Sequence, residues 1–354
     1  MSAKNEVAKN EVMIMLTNRQ LQILKVIVDD FISSGQPIGS RQISKREEIS
    51  FSSSTIRNEM ADLEELGYLE KTHTSSGRIP SEKGYRFYVD HLLKPQVITN
   101  HDMKVLRSVF SENAYETEQV IRKSATILSD LTNYTSIILG PDVQLHKVKR
   151  FSIVPLSAKN AVAIIVTDNG HVENRVVDLP EDLHPSDFEK MVNILNERLV
   201  GIPIVQIPYY LEREVSNIIR QHVGTYNRLL KSIFTGIEQQ SDSKIYYGGK
   251  TNMLNQPEFH DLDKIRMLME MMETQSQIQA LLHRDSPGIQ IRIGSENELN
   301  AVEDCSIITA TYSTNEEQVG SIAIIGPKRM DYQRVITLLD HMSGDLSKLM
   351  RREW

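Results

Sequence analysis

The chain has 354 residues, 40% of them hydrophobic and 25% charged, and a formal net charge of −7. It has room for roughly two or three domains with cores of their own, and it contains no run of about 18 apolar residues that would make a membrane helix. Its one cysteine, Cys305, excludes an intrachain disulfide and a thiolate metal cluster. With no signal-peptide layout in the first residues, this points to a cytoplasmic protein.

The acidity is uneven. Residues 1–95 hold 13 Lys+Arg and 13 Asp+Glu, whereas the remainder holds 27 against 34. A nucleic-acid-binding surface in the first part must therefore depend on separating charge between faces, and its non-specific affinity should be modest and salt-sensitive.

The chain opens on a direct repeat, AKNEV at 3–7 and again at 8–12, and residues 1–15 are set aside as a mobile tail. A first helix starts near Thr17, where Thr17 and Gln20 have capping-box spacing. Leu21, Leu24, Ile27, Val28 and Phe31 then recur at helical period until Gly35 and Pro37 stop them. Residues 40–46 form a short second helix. A third, capped by Ser52 or Ser53, runs to Leu66 with Gly67 as its left-handed cap.

On that third helix Ile56, Met60 and Leu63 share a narrow arc, leaving Ser54, Arg57, Asn58, Ala61, Glu64 and Glu65 outward. Donors fill the first two turns and acids the last, the asymmetry required of a helix that enters a DNA major groove N-terminus first. Arg57 can bond guanine bidentately and Asn58 adenine, while the hydroxyls of Ser53, Ser54 and Thr55 can reach bases or phosphates. The competing reading makes Arg57 a surface ion-pair partner of Glu64 or Glu65. Residues 68–71 and 78–79 would be the strands of a wing. Its tip offers His73, Thr74, Ser75, Ser76 and a glycine amide, and with Arg78 it suits phosphate or minor-groove contact. Ser81 caps a further helix, whose Tyr85, Phe87, Tyr88 and Leu92 close a winged helix-turn-helix over 16–95.

Downstream, residues 102–135 read as helical. Strand-like runs at 147–156, 161–167 and 172–179 follow, with Asp168-Asn169-Gly170 as a hairpin turn and a boundary at 180–185. Helices are expected at 186–199, 212–238 and 262–282, with a glycine-containing patch at 245–250 between the last two. Strands are expected at 288–293, 305–312 and 319–325, and a last helix at 331–351. Strands on both sides of a helix-rich block suggest one sheet domain interrupted by an insertion. The seam Val335, Leu339, Met342, Leu346 and Leu349 reads as intrachain packing or a subunit contact, and the methionines around 267–272 as core filling or an adaptable contact surface.

Three segments, QPIGSR at 36–41, SSTIRNEMADLEELGYL at 53–69 and HTSSGRIPSEKGYR at 73–86, closely resemble the HrcA family of bacterial heat-inducible transcription repressors. Shorter patches at 166–173 and 320–327 extend the resemblance over most of the chain from about residue 14. Small departures are Lys71-Thr72 where a proline is expected before His73, and Ser76 where alanine is commoner. The resemblance adds Arg41 to the candidate DNA contacts. It implies an α+β multidomain protein: a winged helix, a GAF-like domain at 100–180 and 260–354, and an inserted helix-rich dimerisation domain at 181–259. It further implies a homodimer on an inverted-repeat operator upstream of chaperone operons, with the GroEL chaperonin keeping it competent. The methionine-rich helix or the insertion is the expected heat-labile element.

Catalytic chemistry is not expected. The histidines lack metal-ligand spacing, no phosphate-loop or dinucleotide glycine pattern occurs, and the carboxylates read as solvated faces. Residues 247–250 (YGGK) could hold an anion, but read more simply as a turn before a surface lysine. No cofactor is predicted. The alternative function is a metabolite-sensing regulator whose GAF-like domain binds a small effector.

Overall fold

Local signals build the first module. In α1 (Asn18–Ser34) the Thr17 hydroxyl accepts from Gln20 N and the Gln20 side chain accepts from Thr17 N, closing the capping box. Gly35, at φ 64°, ends the helix. Then come α2 (Ser40–Ile43), which stops short of the expected residue 46, and α3 (Ser53–Glu65), capped by Ser52. Gly67, at φ 79°, lets Tyr68 N reach Leu63 O while Gly67 N reaches Glu64 O, so α3 closes in a Schellman turn. The chain thereby reverses into β1 (Leu69–Lys71), which pairs antiparallel with β2 (Arg78–Pro80), and Ile38 bridges to Arg78 beside them. Ser81 caps α4 (Glu82–Phe87), which continues as a π turn over Tyr88–Leu92. Ile23, Leu24, Ile27, Ile38, Ile43, Ile56, Leu63 and Leu69 form the module's interior, each contributing about 1.5–3 kcal/mol by leaving water.

The computed structural model describes residues 16–72, 77–94, 97–111, 117–140, 147–157, 159–168, 172–179, 185–210, 244–282, 288–313 and 318–351. The repeat at 3–12, the wing tip 73–76, most of the 168–170 turn and the helix expected at 212–238 lie outside them. Among the described residues no helix is long and apolar enough to cross a membrane.

Beyond the winged helix the expected helical stretch contains two helices, α5 (Asn100–Ser111) and α6 (Thr117–Thr132). Asn133, at φ 58°, ends α6 and sends the chain into β3 (Thr135–Leu139), a strand that periodicity missed. β4 (Val148–Pro155), β5 (Asn160–Thr167) and β6 (Val172–Asp178) form an antiparallel three-stranded sheet, covered by α7 (Pro185–Leu199). Asn196 of α7 clasps Phe151, its Oδ1 accepting from the backbone N (2.8 Å) and its Nδ2 donating to the carbonyl (2.7 Å).

A second sheet has the order β7-β3-β10-β9-β8, antiparallel throughout. It comprises β7 (Ile245–Gly248), β3, β10 (Gln318–Pro327), β9 (Cys305–Ser313) and β8 (Ile289–Ile293). β7 occupies the patch read as a turn, and Lys250 lies over the Tyr247 ring at 3.8 Å. One face of the sheet packs Ile138, Ile308, Ile322 and Ile324 beneath α10 (Tyr332–Arg351), and the other packs Ile137, Ile307 and Ile325 against α8 (Leu262–Glu273) and α9 (Gln275–Leu282). With both faces covered at the centre of the sheet, consecutive apolar residues are buried there, as at Ile137-Ile138, Ile307-Ile308 and Ile322 to Ile325, whereas β8 at the edge alternates apolar with polar residues. The helix expected over 262–282 breaks at Thr274. Val335, Leu339, Met342 and Leu346 are buried within the chain, so that seam is intrachain packing; Met271 and Met272 likewise fill core, whereas Met269 is partly buried and Met267 faces solvent.

The winged helix and the α+β, GAF-like sheet domain are thus present, but the expected domain limits need correction. Residues 140–244 form one compact unit and the rest of the chain another. Strands β4 to β6 pair only with one another, so they belong to the insertion and not to the larger sheet, whose missing strands are β3 and β7. The insertion therefore begins near 140 and not at 181, and ends near 244 and not at 259.

Candidate nucleic-acid interface

The first two turns of α3 are built to stay outside. Ser52 Oγ accepts from Thr55 N (3.1 Å), starting the helix, a cap worth about 1 kcal/mol. Ile56, Met60 and Leu63 then anchor the inner face, which leaves Ser54, Arg57 and Asn58 exposed. Neither Arg57 nor Asn58 has a hydrogen-bond or ion-pair partner among the described residues. Arg41, on α2, is likewise exposed and unpaired there, and so is Lys45 just after it, a cation the sequence reading did not include.

This face answers the charge problem. Elsewhere in the module cations are spent on acids: Arg19 on Glu59, Lys25 on Asp29 and Arg46 on the buried Asp30. Pairing neutralises those sites, while Arg41, Lys45 and Arg57 stay exposed and without an ion pair among the described residues, so cations remain available beside the leading end of α3. The arrangement can donate hydrogen bonds to base edges and attract phosphates.

Four expected contacts sit differently. The Ser53 and Ser40 hydroxyls bond each other (3.1 Å), tying α2 to α3, and the Thr55 hydroxyl lies 2.9 Å from that of Ser52 within the cap. Arg78, expected to face phosphate, instead donates from Nε to Glu64 Oε2 (2.6 Å) with only 16% of its side chain exposed. It is a brace between wing and α3, and it takes up Glu64, one of the two acids that the competing reading offered Arg57; no ion pair joins Arg57 to Glu65 among the described residues. Gly77, expected to offer an open amide, is buried against Pro37, and a side-chain carbon added there would lie 2.8 Å from Pro37 Cβ. The signal for the Arg78 pairing was present as an acid late on α3, but only the folded wing brings the two together. His73, Thr74, Ser75 and Ser76 lie outside the described residues.

Comparisons with known proteins agree with this geometry. A family model described as the LexA DNA binding domain matches residues 13–77, and one described as the HrcA protein C terminal domain matches residues 118–336. The heat-inducible transcription repressor HrcA of Lysinibacillus sphaericus is 62% identical over 338 residues, covering 94% of this chain and 98% of that protein. HrcA of Bacillus pumilus (strain SAFR-032) is 55% identical over 337 residues, covering 95% and 98%. A crystal structure of a hypothetical protein, 25% identical, superposes with a TM-score of 0.69 over 96% of this chain and 100% of that one. A winged helix whose outward helix is ready for DNA, joined to a sheet domain matched by that family's model, settles the assignment: the chain belongs to the HrcA family of heat-inducible transcription repressors, which are DNA-binding regulators and not enzymes.

Proposed function

We propose that the protein represses chaperone operons in the cytoplasm as a homodimer, each copy laying α3 into one arm of an inverted-repeat operator. The observation that carries this reading is the exposed leading half of α3, with Arg57 and Asn58 free of partners among the described residues. Arg57 reads a base, Asn58 and Ser54 flank it, Arg41 holds phosphate, and His73, Thr74, Ser75 and Ser76 supply further phosphate contacts. Ser53, Thr55 and Arg78 hold that surface in shape.

The dimer half of the reading draws on the inserted sheet. Val154, Val162 and Val176 lie opposite one another in register on its outer face, and Val154, Val172 and Val176 are 45%, 50% and 66% exposed. A second copy of the same face is the occupant that a two-fold operator calls for. GroEL keeps the repressor competent: heat loads the chaperonin with unfolded clients, active repressor declines and the operons are released. The inserted unit is the heat-labile part, while the methionine-rich helix α8, whose Leu268, Met271 and Met272 are buried, is not. Footprinting on an inverted-repeat promoter tests the whole: protection of both arms, strengthened by GroEL, is expected. Protection of one arm refutes the dimer, and indifference to GroEL refutes the chaperonin's role.

The second reading, an effector-binding regulator, draws on a cleft of about 640 Å³ lined by Phe31, Glu70, Tyr85, Lys328 and Arg329 among others. Its charged walls are engaged with one another, Lys328 with Glu82 and Asp304 and Arg329 with Glu258. That leaves little to recognise a ligand, and the first reading is preferred.

A further inference from the structure

The helix behind the wing carries two charged side chains that the DNA-facing surface does not use. From α4, Arg86 donates from Nε to Glu296 Oε1 (2.8 Å), from Nη2 to the other carboxylate oxygen of Glu296, and from Nη2 to Ile291 O (2.7 Å). One turn earlier, Glu82 accepts from Ser295 N (3.1 Å), Ser295 Oγ (2.6 Å) and Lys328 Nζ (2.9 Å). Lys328 is shared with Asp304 (3.3 Å), which Lys264 also holds. The 3-10 turn that receives these groups, Gly294–Glu296, is shaped for them: Gly294 sits at φ 56°, and a side-chain carbon added there would lie 2.0 Å from Glu82 Oε1.

Charge follows geometry. Burial opposes ionisation of Glu82, yet the bonds from Ser295 and Lys328 outweigh it and hold the carboxyl below its usual range. Burial likewise works against Lys328, and Glu82 and Asp304 more than compensate. Beneath the charges the contact is apolar, with the Tyr85 and Tyr332 rings 6.0 Å apart. Apolar contact is non-directional and tolerates sliding, whereas bidentate, charge-assisted bonds fix an angle.

We propose that Glu82 and Arg86 are positioning residues for operator binding, clamping the winged helix to the rim of the five-stranded sheet so that α3 is presented at one fixed angle. The inference rests on the dimeric reading above. In a dimer the separation of the two α3 helices is set through this docking, and a loosened clamp lowers the effective concentration of the second helix at its half-site without altering the first contact.

The test uses full-length Arg86→Ala, Glu296→Ala, their double variant and Gly294→Ala, with thermal melting to verify folding. Each is titrated on the native operator, on a single half-site, and on an operator lengthened by roughly five base pairs, about half a helical turn. Wild type should reject the lengthened operator strongly. Each single variant should lose about tenfold on the native operator, bind the half-site as wild type does, and discriminate spacing less; the Arg86/Glu296 double variant should lose clearly less than the two single losses combined. A spacing-sensitive wild type with unaffected variants overturns the clamp alone, as does an equal loss on the half-site. A wild type blind to spacing overturns the dimeric reading and the clamp with it.

Discussion

Among the described residues, the leading half of α3 and the outer face of the inserted sheet are both exposed, and they differ in kind. The leading half of α3 exposes Ser54, Arg57 and Asn58 above an anchored row of Ile56, Met60 and Leu63. The outer face of the inserted sheet exposes Val154, Val172 and Val176 above Phe151, Ile165 and Val177. Each has a well-packed inner side, so neither is bare for want of a core. The first offers donors and unpaired cations, which water solvates well until a polyanion replaces it. The second offers hydrocarbon, which water solvates poorly and another apolar face covers. The polar surface suits an intermittent partner and the apolar surface a standing one.

The comparison can be broken most forcefully at the apolar surface. Val176→Asp should leave a monomer by sedimentation and weaken operator binding on the order of a hundredfold by removing the linked second contact; a dimer that persists would show that this face is not the interface. Next in size, Arg57→Ala should cost about 1–3 kcal/mol at the operator and relax preference at one base pair. An equal loss on random DNA would make Arg57 a phosphate contact. Arg41→Ala should weaken binding to all sequences and flatten the dependence of log affinity on log salt by about one unit, while dimerisation barely responds to salt. The smallest effect is expected at Arg78, where loss of the Glu64 brace should lower stability by about 1 kcal/mol and leave the salt slope as it was; a flattened slope would return Arg78 to the DNA-contacting set.

Legibility followed the range of the interactions. Thr17 with Gln20, Ser52 with Thr55, and Gly35 and Gly67 after their helices act within a few residues, and the first module could be read from them. The inner and outer faces of α3 followed from period alone. β3 and β7 were missed because each is a strand of only four or five residues whose ladder partners are remote, Ile138 pairing with Ile322 and with Tyr246. The insertion was misplaced for a related reason. Its strands carry apolar residues on both faces, as with Val162 and Ile164 beside Ala163 and Ile165, and so they resemble strands of a fully covered sheet.

By itself, then, the amino-acid order determined the winged helix, the face α3 turns outward and, among the described residues, most later helices and strands apart from β3 and β7, because caps, periodicity and glycine turns are satisfied by near neighbours. Only the tertiary structure decided which strands share a sheet, that Arg78 serves Glu64, and that Arg86 and Glu82 meet the turn at Gly294–Glu296. Those pairings join residues far apart in the chain. Their partners become defined only once burial has fixed where each element lies.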